Sequence, residues 1–487
     1  MAKILSRAKM APLHLEAYSK KRDMERFEVF GKQLEAHISH IRHLKLLGWH
    51  LSTVVKQLMS PAPTLESLTL VHTTSQYTTI PDNLFNSTAP SLTTLMLQDC
   101  IIGWKSPLFK GLQTLKIHAL PDEARPELNY WLDALNEIPQ LKELSLRHAT
   151  PVAALADPLI SRTITLPSLT HFYIESSTKD CALALAHLVF PTLTWLHVCV
   201  ESCDREGEDV LLVIPYIARN VFVLHGIEPI RSILIADERR CTQILTWTTP
   251  GADVEVCDAP TLDDTSRSAC FMFHAQGYDT WDSSSPEVLT LIKAAIFDAF
   301  LTLLPLNSVS TLTAHNDTRL GKGFWLRHAS KLPLLEQARL ASTAASEFWE
   351  MLAEDIPHNS GGPQLPMLTK LIIHKYPLCD RVTMLHLCDT LIRRVEQGVP
   401  LECLDLHSCE GGKRASGAIK LLAEIVVDVR KINPGAWKFP KWDSNRDEFD
   451  DGRGGWYIDT DLDEYECGDN YGDDYDDRGG DDYDEWY

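Results

Sequence analysis

One phrase recurs along this chain, an apolar residue at i, i+3 and i+5. It occurs as Ile41/Leu44/Leu46, Leu65/Leu68/Leu70, Leu92/Leu95/Leu97, Leu112/Leu115/Ile117, Leu141/Leu144/Leu146, Leu169/Phe172/Ile174 and Leu193/Leu196/Val198. It returns as Val309/Leu312/Ala314, Leu335/Ala338/Leu340, Leu368/Leu371/Ile373 and Leu401/Leu404/Leu406. In the first group the copies lie about 20 to 29 residues apart. The last two apolar positions are two apart, so on a strand they share one side while the residues flanking them face the other. A single copy cannot bury its apolar side, so copies must stack in parallel and share one core.

This is the pattern of a leucine-rich repeat. It predicts an α/β solenoid, a horseshoe with a concave parallel sheet and convex helices. Proline stands two residues before the first apolar position in many copies: Pro63, Pro90, Pro139, Pro167, Pro191, Pro333 and Pro366. Proline ends a return segment and enters a strand without needing a ladder donor. Helical patterns over Leu128–Ile138, Asp180–Phe190, Ala345–Ile356, Arg381–Gln397 and Ala415–Val429 fill gaps between copies. Three residues after the last apolar position, where many such repeats carry Asn, this chain has Thr73, Cys100, Ser177 and Cys409.

The organisation expected is a helical cap over 1–40, a repeat domain over 41–432, and an acidic tail over 433–487. Within the repeat domain the register breaks between 230 and 306. There RSILIA, QILTWTT, ADVEV and ACFMFHA read as short strands, followed by a helix from Pro286 to about Leu304. Atypical repeats and a small inserted β-element both account for this. The tail combines Gly, Asp and Tyr with almost no aliphatic residues, a composition that reads as disordered. From Asp443 onward there are 19 carboxylates against 3 arginines, so about −16 of the net charge of −21 resides there.

That balance argues against nucleic acid as a direct partner. Twelve scattered cysteines, no signal-peptide apolar region and no run of about 18 apolar residues predict a soluble protein of the cytoplasm or nucleus. There is no Walker A loop, no H-E-x-x-H and no G-x-S-x-G, so the chain reads as a non-enzyme without a cofactor. His197, Cys199 and Cys203 in HVCVESC hint at metal spacing, but a second ligand pair is missing nearby, and no metal is expected.

Residues flanking the final two apolar positions should line the open face and contact a protein partner. They are His43, Lys45, Lys116, His118, Glu143, Arg147, His171, Tyr173, Trp195 and His197, then Arg339, Lys370, His374, Asp405 and His407. Arg147, Tyr173 and Trp195 are the expected anchors, because Arg and aromatics dominate interface energetics.

Several stretches give the chain a resemblance to known proteins: RAKMAPL, QLEAHISHIRHLKL, PTLESLTL, IPDNLFNSTAPSLTTL, WLDALNEIPQLKELSL, DCALALAHLVFPTLTWLHV, NSVSTLTAHN and IKLLAEIVVDV. Together they resemble the F-box-like leucine-rich-repeat proteins of mushroom-forming fungi. The resemblance implies a substrate receptor of a cullin-type ubiquitin ligase, with the repeats holding the target and an F-box holding the ligase adaptor. Nothing before Ile41 reads as an F-box, and RAKMAPL resembles the linker that follows one, so the expectation is a chain lacking the F-box itself. The alternative expectation is an acidic-tailed repeat protein that binds or shields basic proteins such as histones. A third, resembling Ran GTPase-activating proteins, is disfavoured by the missing Asn.

Overall fold

The computed structural model describes residues 11–20, 24–74, 76–153, 161–202, 208–224, 228–238, 241–250, 269–277, 286–316, 320–354, 363–374, 381–407 and 412–432. The ADVEV segment and everything from residue 433 onward, the tail included, lie outside them.

Each phrase copy supplies a strand. In chain order the strands are β1 Leu13–Ser19, β2 Ile41–Gly48, β3 Ser67–His72, β4 Thr78–Thr79, β5 Thr94–Gln98, β6 Cys100–Ile101 and β7 Thr114–His118. Then come β8 Glu143–Arg147, β9 Ile164–Thr165, β10 His171–Ser177, β11 Leu188–Val189, β12 Trp195–Ser202, β13 Ser232–Glu238, β14 Cys241–Trp247 and β15 Ala269–Gly277. The last are β16 Thr311–Asn316, β17 Gln337–Ala341, β18 Lys370–His374, β19 Cys403–His407 and β20 Asp428–Ile432. Sixteen of them form one mostly parallel sheet in the order β1-β2-β3-β5-β7-β8-β10-β12-β15-β14-β13-β16-β17-β18-β19-β20, which is not closed into a barrel. The pairs β4–β6 and β9–β11 make two small parallel ladders on return segments.

Register follows the phrase. Leu44 lies opposite Leu68, Leu68 opposite Leu95, and the series continues through Leu115, Leu144, Phe172 and Leu196. A second series runs Leu312, Ala338, Leu371, Leu404. All eleven of these middle residues are at most 1% exposed. Burying a leucine stabilises by about 1.5–3 kcal/mol, whereas ordering one residue's backbone costs about 1–2 kcal/mol. Three apolar residues per unit therefore cannot hold that unit alone, and stability must come from shared faces between neighbours.

The ten α-helices described all pack on the phrase side of the sheet: buried residues of each, from Phe30 and Trp131 to Phe297, Trp349, Leu391 and Leu422, belong to the same core as the leucines. None is long and apolar enough to cross a membrane. Helices occupy Leu128–Asn136, Thr178–His187, Ser342–Leu352 and Arg381–Glu396, close to where the sequence pattern puts them. Cys100, at the position where many such repeats carry Asn, directs its buried thiol at the Leu70 carbonyl oxygen at 3.7 Å. Ser177 instead caps the Thr178–His187 helix, its hydroxyl accepting from the Asp180 amide.

Two expectations need correction. The cap over 1–40 has its helix at Met24–His37, close to the pattern that starts at Met24, but it also holds a strand: β1 precedes the helix and pairs in parallel with β2. The alternation of LHLEAYS, buried at Leu15, Ala17 and Ser19, makes this strand without the repeated phrase. The helix expected over Ala415–Val429 ends at Ile425, and Asp428–Ile432 adds a final strand, with Val429 opposite Leu404. Of the two readings open for the irregular region, the inserted β-element is the one observed, set within the sheet. The three strands β13, β14 and β15 form an antiparallel meander whose outer members pair in parallel with β16 and β12. The helix Pro286–Leu303 then leads to β16, and Lys293 on it meets Asp237 of β13 at 2.6 Å in a buried ion pair.

Candidate binding face of the sheet

Side chains alternate across a strand, so with the phrase turned into the core its neighbours occupy the other face. Register gathers eight of the expected residues on four adjacent strands. Glu143, His171 and Trp195 stand in one row. Lys116, Ser145, Tyr173, His197 and Met272 form the next, and His118, Arg147, Glu175, Cys199 and His274 the third. His43 and Lys45 share the face but sit on β2, three strands from β7. Arg339, Lys370, His374, Asp405 and His407 belong to β17, β18 and β19. At about 4.8 Å per strand, β17 is roughly 24 Å from β12 across the meander.

Four cations of this face, Lys45, Lys116, Arg147 and Lys370, each face a carboxylate of a neighbouring strand. Lys45 reaches Glu16 at 2.7 Å, Lys116 reaches Glu143 at 2.8 Å, Arg147 reaches Glu175 at 3.0 Å, and Lys370 lies 3.9 Å from Asp405. His43 is 3.9 Å from Glu66. Burial alone would lower the Arg147 pKa, but the charges of Glu175 and its neighbours outweigh it and hold the guanidinium above its ordinary value.

At the centre the expected contact residues are packed rather than projecting. The Tyr173 hydroxyl donates to the Glu175 carboxylate, and burial followed by the Glu175 charge pushes the phenol well above its usual pKa. His197 packs edge-on against Tyr173, Trp195 and His274, with ring centroids 4.8, 5.8 and 5.1 Å away. Burial holds His197 well below the normal histidine range, and it holds His274 down to about 4. His118 is buried too, its Nε2 2.9 Å from the Ser145 hydroxyl, and desolvation lowers its pKa to about 3. Arg339, His374 and Asp405 are likewise buried. Trp195, Lys116, Glu143, Arg147 and His171 keep partial exposure.

Two features were not foreseen. An apolar cluster of Leu234, Ala236, Leu245, Trp247 and Met272, with Trp195 packed against it, lies on this face and contains strand residues alone. Its signal was the two-sided apolar content of ILIA and ILTW, which a one-face pattern does not need. The second is a group just past the phrase. His148 follows β8 at a left-handed φ of 46°, as Ala119 follows β7 at 58° and Asp99 follows β5 at 53°. Each of the three donates its amide to the next strand, and that of His148 goes to the Glu175 carbonyl oxygen at 2.8 Å. The turn is thus a device of the repeat, and it delivers the His148 ring to Glu201, with Nε2 3.3 Å from Oε1. Desolvation lowers the His148 pKa, but the Glu201 hydrogen bond and the charges of Glu201 and Glu175 more than reverse it.

Ligand atoms of His148, Glu175 and Glu201 all lie within 4.8 Å of one another. The spacing that hinted at a metal in the sequence behaves differently. Burial raises the Cys199 thiol well above its ordinary pKa, and Cys203 lies outside the described residues. No protein-family model matches the chain, and no curated protein matches it.

Proposed function

We propose that this chain is a non-enzymatic protein-recognition module, a leucine-rich-repeat solenoid of the cytoplasm or nucleus that holds a protein target on its open sheet face. One observation carries this: the helices pack on one side of the sheet, while the other presents Trp195, Lys116, Glu143, Arg147 and His171 over a base of buried, closely packed side chains. Such a base is pre-organised, so little ordering entropy is lost on docking. Four cations of the face already meet carboxylates, which suits a mixed protein surface better than a run of phosphates. The F-box-like resemblance supports extending this to the role of substrate receptor for a cullin-type ubiquitin ligase.

Two experiments separate the parts of this reading. In affinity purification followed by mass spectrometry, Trp195→Ala/Arg147→Ala should lose target proteins that the parent chain recovers. Retention of every partner would exclude this face. Purified cullin adaptor titrated with the full chain tests the ligase assignment, and no binding at micromolar concentration would remove it while leaving target recognition standing.

A second reading rests on the 19 carboxylates from Asp443 onward, which suit basic proteins such as histones. Ending the chain at residue 442 should abolish histone binding at moderate salt, since exposed-charge attraction would be its main source. Unchanged binding would dismiss it.

A further inference from the structure

We propose that His148, Glu175 and Glu201 form a divalent transition-metal site on the open face, taking zinc or an ion of similar preference. The turn after β8 and the strands β10 and β12 bring one imidazole and two carboxylates to a common point, with ligand atoms within 4.8 Å of one another. His148 Nε2 and Glu201 Oε1 are already 3.3 Å apart. That is about the separation of two ligands around a tetrahedral ion with bonds of about 2.0–2.1 Å. Imidazole among the ligands favours zinc and its neighbours over magnesium or calcium.

The surroundings are those of a built site. Glu175 and Glu201 are largely sequestered, their side chains 8% and 12% exposed. Arg147 and the Tyr173 hydroxyl both engage Glu175 and fix its orientation. An ionised carboxylate has about four lone-pair positions, so these two bonds leave capacity for an ion, and such outer contacts are what hold metal ligands in place. With His148 as neutral imidazole, the two carboxylates and one guanidinium sum to a single negative charge, which a dication would overcompensate by one. His148 is the partly exposed member, so the open position faces outward, where water or a partner's side chain could complete the coordination.

The test is calorimetric titration of the full chain with Zn2+, compared with His148→Gln, Glu201→Gln and, as a control, His171→Gln. His171 lies on the same face outside the group. The chain's other histidines and cysteines provide a background common to all four proteins. Each of the first two variants should lose one equivalent of binding, or bind it at least about tenfold more weakly, while the control matches the parent. Melting without metal identifies a variant that has unfolded, and Glu201→Gln, which keeps shape and a hydrogen-bonding oxygen, then carries the comparison. Equal stoichiometry and affinity in all four overturns the site. The inference does not depend on the partner proposed above.

Discussion

At the scale of single residues, buried charges impose the largest constraints. Arg125, on the segment before the Leu128–Asn136 helix, bonds Asp180 at 2.7 Å and the Thr150 carbonyl oxygen at 2.8 Å, and both members of the ion pair are 6–7% exposed. Without Asp180, Arg125 keeps only the exposed Asp122 carboxylate at 3.0 Å as a charge partner, so Asp180→Ala should destabilise by about 1–3 kcal/mol, read as a lower urea midpoint. The buried histidines set a pH dependence of known sign. His274 has its pKa lowered from 6.5 to about 4 by burial, and His118 falls to about 3. Between pH 6.5 and 4 the unfolded chain therefore binds more protons than the folded one, and stability present above pH 6.5 is lost as pH falls. Urea midpoints measured at pH 7, 6 and 5 should decline, and His274→Gln should flatten that slope. The sequence placed Tyr173 and His197 on the correct face by alternation alone. The burial of His197 involves Met272 and His274, which arrive from a strand much later in the chain, and local pattern has no access to such neighbours.

At the scale of elements, the eleven phrase strands were legible because each carries its own apolar triplet, and the proline before many of them marks where the return segment stops. The first strand was not, since seven residues of simple alternation compete poorly with the helix that follows. Its docking depends on Gly48, whose φ of 125° and proximity to Ser19 both exclude a side chain: an added Cβ would stand 2.2 Å from the Ser19 carbonyl oxygen. Gly48→Ala should cost more than about 1 kcal/mol and selectively reduce hydrogen-exchange protection over Leu13–Ser19. The meander was half legible. Its strands could be read from ILIA, ILTW and CFMF, but their reversed order in the sheet is a long-range choice that no local signal encodes. The Lys293–Asp237 pair ties the Pro286–Leu303 helix to that choice, so Lys293→Met, which removes the cation 2.6 Å from a buried carboxylate, should lower the urea midpoint.

At the scale of the whole molecule, the solenoid reading makes stability a sum of units and their nearest-neighbour contacts. The sheet then has one position where continuity rests on an antiparallel strand, β14, held between β13 and β15. Ile244 at its middle is fully buried. Ile244→Asp should divide a single calorimetric unfolding transition into two, one for the strands up to β12 and one for those from β16 onward. A single shifted transition would mean that the helices alone couple the two blocks.

The meander also bears on how such a chain can change over generations. It enters and leaves the sheet in parallel register, Ser202 opposite Gly277 on one side and Ser232 opposite Thr311 on the other. Either flank therefore meets it as it would meet another copy of the phrase. Duplication or loss of whole units on one side leaves the joint and the opposite block undisturbed, so the width of the face can drift by recombination while the chemistry assembled beside the joint is inherited intact.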